Sequence, residues 1–301
     1  MLLRWVRDRI ERWMVYLVLI VGVLALWLPA PGRSFDHGDT VYVTLAVLVF
    51  TAGLTVDFAS LAAARRAGWR LLAALAASSI VFPLLAWGLS HLVGGQLRDA
   101  LLAVGVAPSE VASLALVSLG AGDVAIAALL VLGSTVVTIV AAGPILSVLS
   151  TASHLDTIGL GGTLVVVVAI PLALGALAGM RLTPTGVGRT FGGILGSLAL
   201  LLLIWEVASQ VQLEPVYLVG VGLLIVFIAG STLIGMAVSI GTSHATRIGI
   251  VLPVAIRDFA IAAGIATAAF GATSTGLLGI YGLLVLVLGA LASRGLSRRS
   301  S

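Results

Sequence analysis

Pro108-Ser109-Glu110 and Pro253-Val254-Ala255-Ile256-Arg257-Asp258 are two short polar interruptions deep inside an otherwise apolar chain. Each lies within a segment whose flanks read as membrane-spanning. A proline removes a helix hydrogen bond, and a formal charge in hydrocarbon costs roughly 2.5–3.5 kcal/mol on insertion scales. Interrupted helices at corresponding positions in two halves of a membrane chain point to a binding site. Two unrelated proline kinks are the plain structural alternative.

Working outward, the rest of the chain supplies the membrane. Of 301 residues, 60% are hydrophobic and 9% charged. A soluble domain carries about 25% charged residues, so too little polar surface exists here to cover a water-soluble particle. The expected class is all-α and polytopic, with the lipid bilayer as its partner. The 36 glycines suit close helix packing, which replaces the hydrophobic effect as the stabiliser between spans.

A span needs about 20 apolar residues. Ten cores read as spans: 14–30, 40–56, 69–93, 99–119, 123–149, 160–180, 188–210, 215–240, 247–270 and 274–293. The first, preceded by Arg4, Arg7, Arg9 and Arg12, resembles a signal peptide's charged start, but no convincing small-residue cleavage site follows; it reads as a retained helix. With a cytoplasmic N-terminus, those four arginines lie inside, as do Arg65, Arg66, Arg70, Arg181, Arg189, Arg247, Arg294, Arg298 and Arg299. Only Arg33 and Arg98 lie outside, and Arg257 is inside a span. This asymmetry predicts ten spans with both termini cytoplasmic. It accounts for the net charge of +4 without nucleic acid.

Five spans precede a break near 150–157 and five follow it. An odd number per half inverts the second half relative to the first. The expectation is therefore two inverted five-helix repeats, 1–150 and 151–301, in one membrane domain. The fourth span then corresponds to the ninth, and both interruptions fall on that pair. No residue-level repeat is visible.

The charged residues inside spans are the candidates for chemistry. Glu110 reads either as a structural carboxylate paired across helices or as a substrate or proton site, since burial favours a carboxylate's neutral form. Arg257 either neutralises Glu110, if the two spans cross, or anchors an anionic substrate. Asp258 is adjacent to Arg257 but about 100° away around a helix, so the two need not pair. Asp123 reads as a helix cap. Glu206 and Glu214 read as interfacial, and Pro83 and Pro171 as kinks. The absence of cysteine excludes thiol chemistry, and His37, His91, His154 and His244 form no metal-like pair. The Gly-rich stretches at 159–162 and 192–193 lack the Lys of a phosphate loop. No cofactor, metal or enzymatic activity is expected, and any driving energy must come from a solute or ion gradient.

Several stretches resemble the bile acid:sodium symporter family. They are Gly53-Leu54-Thr55 … Phe58 … Arg65-Arg66 … Val81-Phe82-Pro83-Leu84-Leu85-Ala86, then Pro108-Ser109-Glu110-Val111-Ala112-Ser113 … Gly122-Asp123-Val124-Ala125 … Ser134-Thr135, and Ile256-Arg257-Asp258-Phe259-Ala260-Ile261-Ala262. The resemblance implies a panel domain and a core domain, with the broken fourth and ninth helices crossing at mid-membrane. It also implies two sodium sites. At the positions of the first this chain has Ser113, Leu114, Ala127, Val131 and Pro253, of which only Ser113 offers a suitable oxygen. At the glutamine positions of the second it has Ser78 and Arg257. Sodium coupling is therefore not expected.

These readings converge on a secondary transporter of the plasma (inner) membrane. It would move a small organic anion or amphipathic acid by alternating access, coupled to protons or uncoupled. The site would comprise Ser78, Pro108, Ser109, Glu110, Ser113, Pro253, Arg257 and Asp258. A sodium-coupled symporter with rearranged ion sites, and a non-transporting receptor or sensor on the same fold, are the alternatives.

Overall fold

A backbone in hydrocarbon must satisfy its own hydrogen bonds, and helix is how one segment does so alone. In the computed structural model, residues 2–28, 39–54, 68–150, 155–182, 187–211 and 215–297 are described. Among them all regular structure is helical, apart from one isolated antiparallel bridge.

The helices are α1 (Leu2–Trp27), α2 (Asp39–Gly53), α3 (Trp69–Ser90), α4 (Gly95–Val106), α5 (Ser113–Leu119), α6 (Val124–Leu149), α7 (Thr157–Arg181), α8 (Val187–Ala208), α9 (Val216–Val238), α10 (His244–Ala255), α11 (Phe259–Phe270) and α12 (Gly276–Ser297). Five stretches within this set are long and apolar enough to cross a membrane: Trp69–Ser90, Val124–Leu149, Thr157–Arg181, Thr190–Ala208 and Val216–Val238. The outward faces are apolar, with Ile158 and Val140 strongly exposed, as lipid contact requires. Phe58, Arg33, Arg65, Arg66, His37, His154, Glu214, Arg298 and Arg299 lie outside the described residues.

Two helix boundaries differ from the sequence reading. α1 begins at Leu2, because its arginine-bearing start continues the same helix. Pro253 does not mark the second interruption. It sits inside α10, which runs on to Ala255, and the break falls at Ile256, Arg257 and Asp258.

Helix α1 packs along α8, and α2 packs along both α7 and α8. The α2–α7 approach is very close: a Cβ on Gly175 would collide with the Phe50 carbonyl, one on Gly53 would lie 2.5 Å from the Leu172 carbonyl, and one on Gly179 would lie 2.7 Å from that of Leu54. Small residues here let two backbones touch. A second set of helices surrounds the interruptions. α3 packs on α4, α9 on α10, α10 on α5 and α6, α11 on α4, and α12 on α4 and α5.

Candidate functional site

The chain leaves helical geometry at residues 107–112 and 256–258, and these two extended pieces cross. They pair as a single antiparallel bridge between Ser109 and Arg257. The Glu110 amide donates to the Ile256 carbonyl at 3.0 Å, and the Asp258 amide donates to the Pro108 carbonyl at 2.8 Å. In this pattern the amides of the two central residues point away from the partner strand and need other acceptors. The Ser109 amide donates to Ser134 Oγ on α6 at 3.0 Å, and the Arg257 amide donates to the Tyr281 hydroxyl on α12 at 2.9 Å. Each broken segment is thus held by a hydroxyl on the second helix after it, α6 for the first and α12 for the second.

Directly opposed residues share a face, and their neighbours along the strand share the other. Ser109 and Arg257 therefore lie on one side of the crossing; Pro108, Glu110, Ile256 and Asp258 lie on the other. The crossing has a basic side and an acidic side.

On the basic side, the Arg257 guanidinium is fully buried and stacks on Phe82, with 4.3 Å from Cζ to the ring centroid. Its Nη2 donates to the Ser78 carbonyl at 3.3 Å. Pro83 explains why that carbonyl is free. Residues Ala77–Val81 form a π-helical turn within α3, whose last bond runs from the Phe82 amide to the Ala77 carbonyl. The next donor in this register is Pro83, which has no N–H. Ser78 is left with an orphan carbonyl, and Arg257 takes it. Pro171 follows a second π turn, Val165–Ala169 in α7, in the same way. Both prolines are thus accommodated as register shifts, which is the physical content of the kinks read from the sequence.

On the acidic side, Glu110 Oε1 accepts from the Ala112 amide at 3.2 Å and Oε2 from the Phe259 amide at 3.4 Å. One carboxylate thus ties the segment leading into α5 to the first turn of α11. Asp258 is the N-cap of α11 and accepts from the Ile261 amide at 2.9 Å. Glu110 and Asp258 are both buried and close enough to interact, while Val111 is part-exposed and Ala112 exposed beside them. Ser113 is buried at the start of α5, with its hydroxyl unpartnered among the described residues.

The sequence reading is corrected in three places. Arg257 and Glu110 form no ion pair: each has other partners, on opposite sides of the crossing. Arg257 is sealed against Phe82, so it does not present its charge to an open cavity as a substrate anchor. Glu206 is buried instead of interfacial, with Oε1 accepting from Thr44 Oγ1 at 3.5 Å and Oε2 unpartnered. Asp123 caps α6 through the amides of Ala125 and Ile126, as read from the sequence. Tyr281 and Phe82 were not singled out as site residues. Tyr281 had one available signal, since a lone tyrosine in an apolar span needs a hydrogen-bonding partner.

A helical membrane protein with paired interrupted helices, whose breaks bond to each other in the buried interior, belongs to the transporter class. The profile of the Sodium Bile acid symporter family matches residues 42–221, and the chain belongs to that family. It is a multi-pass membrane protein of a transporter family, not an enzyme family. The match covers the first interruption and ends within α9, before the second. No curated protein matches the chain.

Proposed function

We propose that the protein is a proton-coupled secondary transporter for a small organic anion or amphipathic acid, and that Glu110 carries the proton. The observation that carries this reading is the Glu110 carboxylate on the amides of Ala112 and Phe259. Amides of interrupted helices are the usual partners of a transported carboxylate. Here the chain's own carboxylate occupies them. A proton on Glu110 weakens its hold, because a neutral carboxyl accepts less strongly than a carboxylate. The acid group of the solute then takes the same amides. Asp258 stays in place as the cap of α11, and Ser113 and the backbone of Pro108 and Ser109 line the crossing.

The architecture behind this is a ten-span bundle of two inverted repeats, 1–150 and 151–301, with α1, α2, α7 and α8 as a panel and the remaining helices as a core. Matched packings support the repeat. Under it α1–α8 corresponds to α7–α2, α3–α4 to α9–α10, and α10–α6 to α4–α12, and all six contacts occur. The paired hydroxyls of Ser134 and Tyr281 support it at residue level. Panel and core would move against each other to alternate access. The arginine asymmetry supports a plasma (inner) membrane setting with both termini cytoplasmic.

Sodium does not couple in this reading. The resemblance assigns Ser78 and Arg257 to the second cation site, and Arg257 donates to Ser78. The guanidinium brings a fixed positive charge to the place where sodium would need oxygen ligands, of which hard cations take roughly six. A receptor without transport would be favoured by a locked Glu110–Arg257 pair, which is not formed. The test is uptake of a panel of small organic acids into proteoliposomes. Acid-side-driven uptake that loses its pH dependence in Glu110→Gln supports the reading. Sodium-driven uptake, or an unchanged pH profile in that variant, sinks it.

A further inference from the structure

The two helices that leave the crossing sit in unlike surroundings. α5 continues from the first interruption and α11 from the second. α11 packs on α2 and α7 as well as on α4 and α12. α5 packs on α6, α10 and α12 and, among the described residues, on none of α1, α2, α7 and α8. Burial follows the packing. With Ser109 opposite Arg257, positions 112, 115 and 118 are the counterparts of 260, 263 and 266. Ala260, Ala263 and Ala266 are all buried, whereas Ala112, Ala115 and Ser118 are all exposed. The contact that closes α11 against α2 is specific: Leu45 is fully buried, and a Cβ on Gly264 would lie 2.6 Å from its Cδ2.

The arginines assign the sides. The turn after α5 lies against the start of α10, where the Asp123 amide donates to the Ala245 carbonyl at 2.9 Å. Arg247 is in the same turn of α10, and Arg70 Nη2 donates to the Ile240 carbonyl just before it at 3.3 Å. Both arginines read as cytoplasmic. α11 leads the other way: the turn Ala272–Thr275 beyond it packs on α4, whose first turn carries Arg98, read as external. The lipid-facing surface is made of large side chains such as Val140 and Ile158. The exposed positions of α5 nearest Glu110 are instead two alanines and a serine, and Ala112 gives its amide to Glu110. We propose that this structure is the cytoplasm-facing state of the transport cycle. The exposed face of α5 walls the open approach to Glu110, and the Leu45–Gly264 contact is the closed outer gate. In the opposite state α5 closes on α8 and α1, the counterparts of the α2 and α7 that now cover α11. The inference rests on the inverted-repeat architecture proposed above, and it adds which side is open and which residues close the other.

The chain has no cysteine, so single cysteines report access without background. A charged, membrane-impermeant methanethiosulfonate is applied to right-side-out and inside-out vesicles holding the full-length protein. Gly94→Cys and His244→Cys, both at exposed positions, fix the sides. They should label from outside and from the cytoplasm respectively. Ala115→Cys and Ser118→Cys should label from the cytoplasmic side only, and Ala263→Cys from neither. Leu45→Ala removes a contact made only in this state, so adding it should slow the cytoplasmic labelling of Ala115→Cys. If that variant does not fold, the single cysteines decide alone. Labelling of Gly94→Cys and His244→Cys from the same side would overturn the inverted architecture and this proposal with it. With those two on opposite sides, three results would each overturn the gate alone: Ala115→Cys labelling from outside or not at all, Ala263→Cys labelling readily from outside, or a rate at Ala115→Cys unchanged by Leu45→Ala. None of these readouts involves a proton or a solute, so the coupling proposed for Glu110 stands or falls separately.

Discussion

The Phe259 amide donates to Glu110 Oε2 at 3.4 Å, across 149 residues of sequence, and this contact joins the two interrupted segments on their acidic side. Replacing Glu110 by Gln leaves one acceptor oxygen where two were used, and turns an NH₂ group toward the other amide. The expected cost is about 1–3 kcal/mol, the penalty of one buried unsatisfied group. The variant should fold but transport without pH dependence, because its side chain cannot exchange a proton in this range. Wild-type uptake should rise as the pH on the substrate side falls. Thermal melting and uptake between pH 5.5 and 8 measure both.

The stacking of Arg257 on Phe82 is a separable interaction. Desolvated cation–π contacts are worth about 2 kcal/mol. A double-mutant cycle of Phe82→Leu and Arg257→Met should return a coupling of about 1–2 kcal/mol in melting free energy. Arg257→Lys should not rescue, since a compact ammonium cannot stack while reaching the Ser78 carbonyl.

Helix caps supply a control for charge without function. Asp123→Ala removes an acceptor for the amides of Ala125 and Ile126 and should cost about 1 kcal/mol. Its pH profile for uptake should match the wild type, unlike that of Glu110→Gln.

Glu206 is buried against Thr44, with one oxygen unpartnered and no cation on it among the described residues. A neutral amide of the same shape avoids the cost of burying an unpaired charge. Glu206→Gln should therefore melt at or above the wild-type temperature, whereas Glu206→Ala should melt below it through the cavity it leaves.

Glycine packing gives a graded test of the fold. Gly175→Val drives a side chain into the Phe50 backbone and should prevent recovery of folded protein. Gly222→Ala meets open space on α9 and should be neutral or stabilising by up to about 1 kcal/mol, as alanine is the better helix former. Fluorescence-detected size exclusion distinguishes the two.

Much of this was legible in the sequence because the bilayer imposes simple rules. Helix positions followed from runs of apolar residues, and both breaks fell on the two polar motifs. The proline at 253 misled by three residues: helix α10 tolerates it near its end, and the chain opens only where Arg257 and Asp258 need their own partners. The Arg257–Ser78 contact was not legible. It depends on a backbone carbonyl freed by a π turn, and a carbonyl has no sequence identity. Glu206 was misread because its position near a span end says nothing of the neighbouring helix, where Thr44 covers it. Pairing of Glu110 with Arg257 was reasonable from charge alone. It fails because alternation along the bridge turns the two side chains to opposite sides.

The central claim is that one proton on Glu110 and one solute carboxylate cross together, which moves no net charge. The most direct measurement is uptake of a monocarboxylate substrate into proteoliposomes under two separate driving forces. One is a pH gradient at zero potential; the other is a valinomycin-set potassium potential at equal pH, each with and without sodium. Accumulation driven by the pH gradient, indifferent to potential and to sodium, is the predicted result. Accumulation driven by an inside-negative potential in the presence of sodium, with no response to the pH gradient, would contradict it.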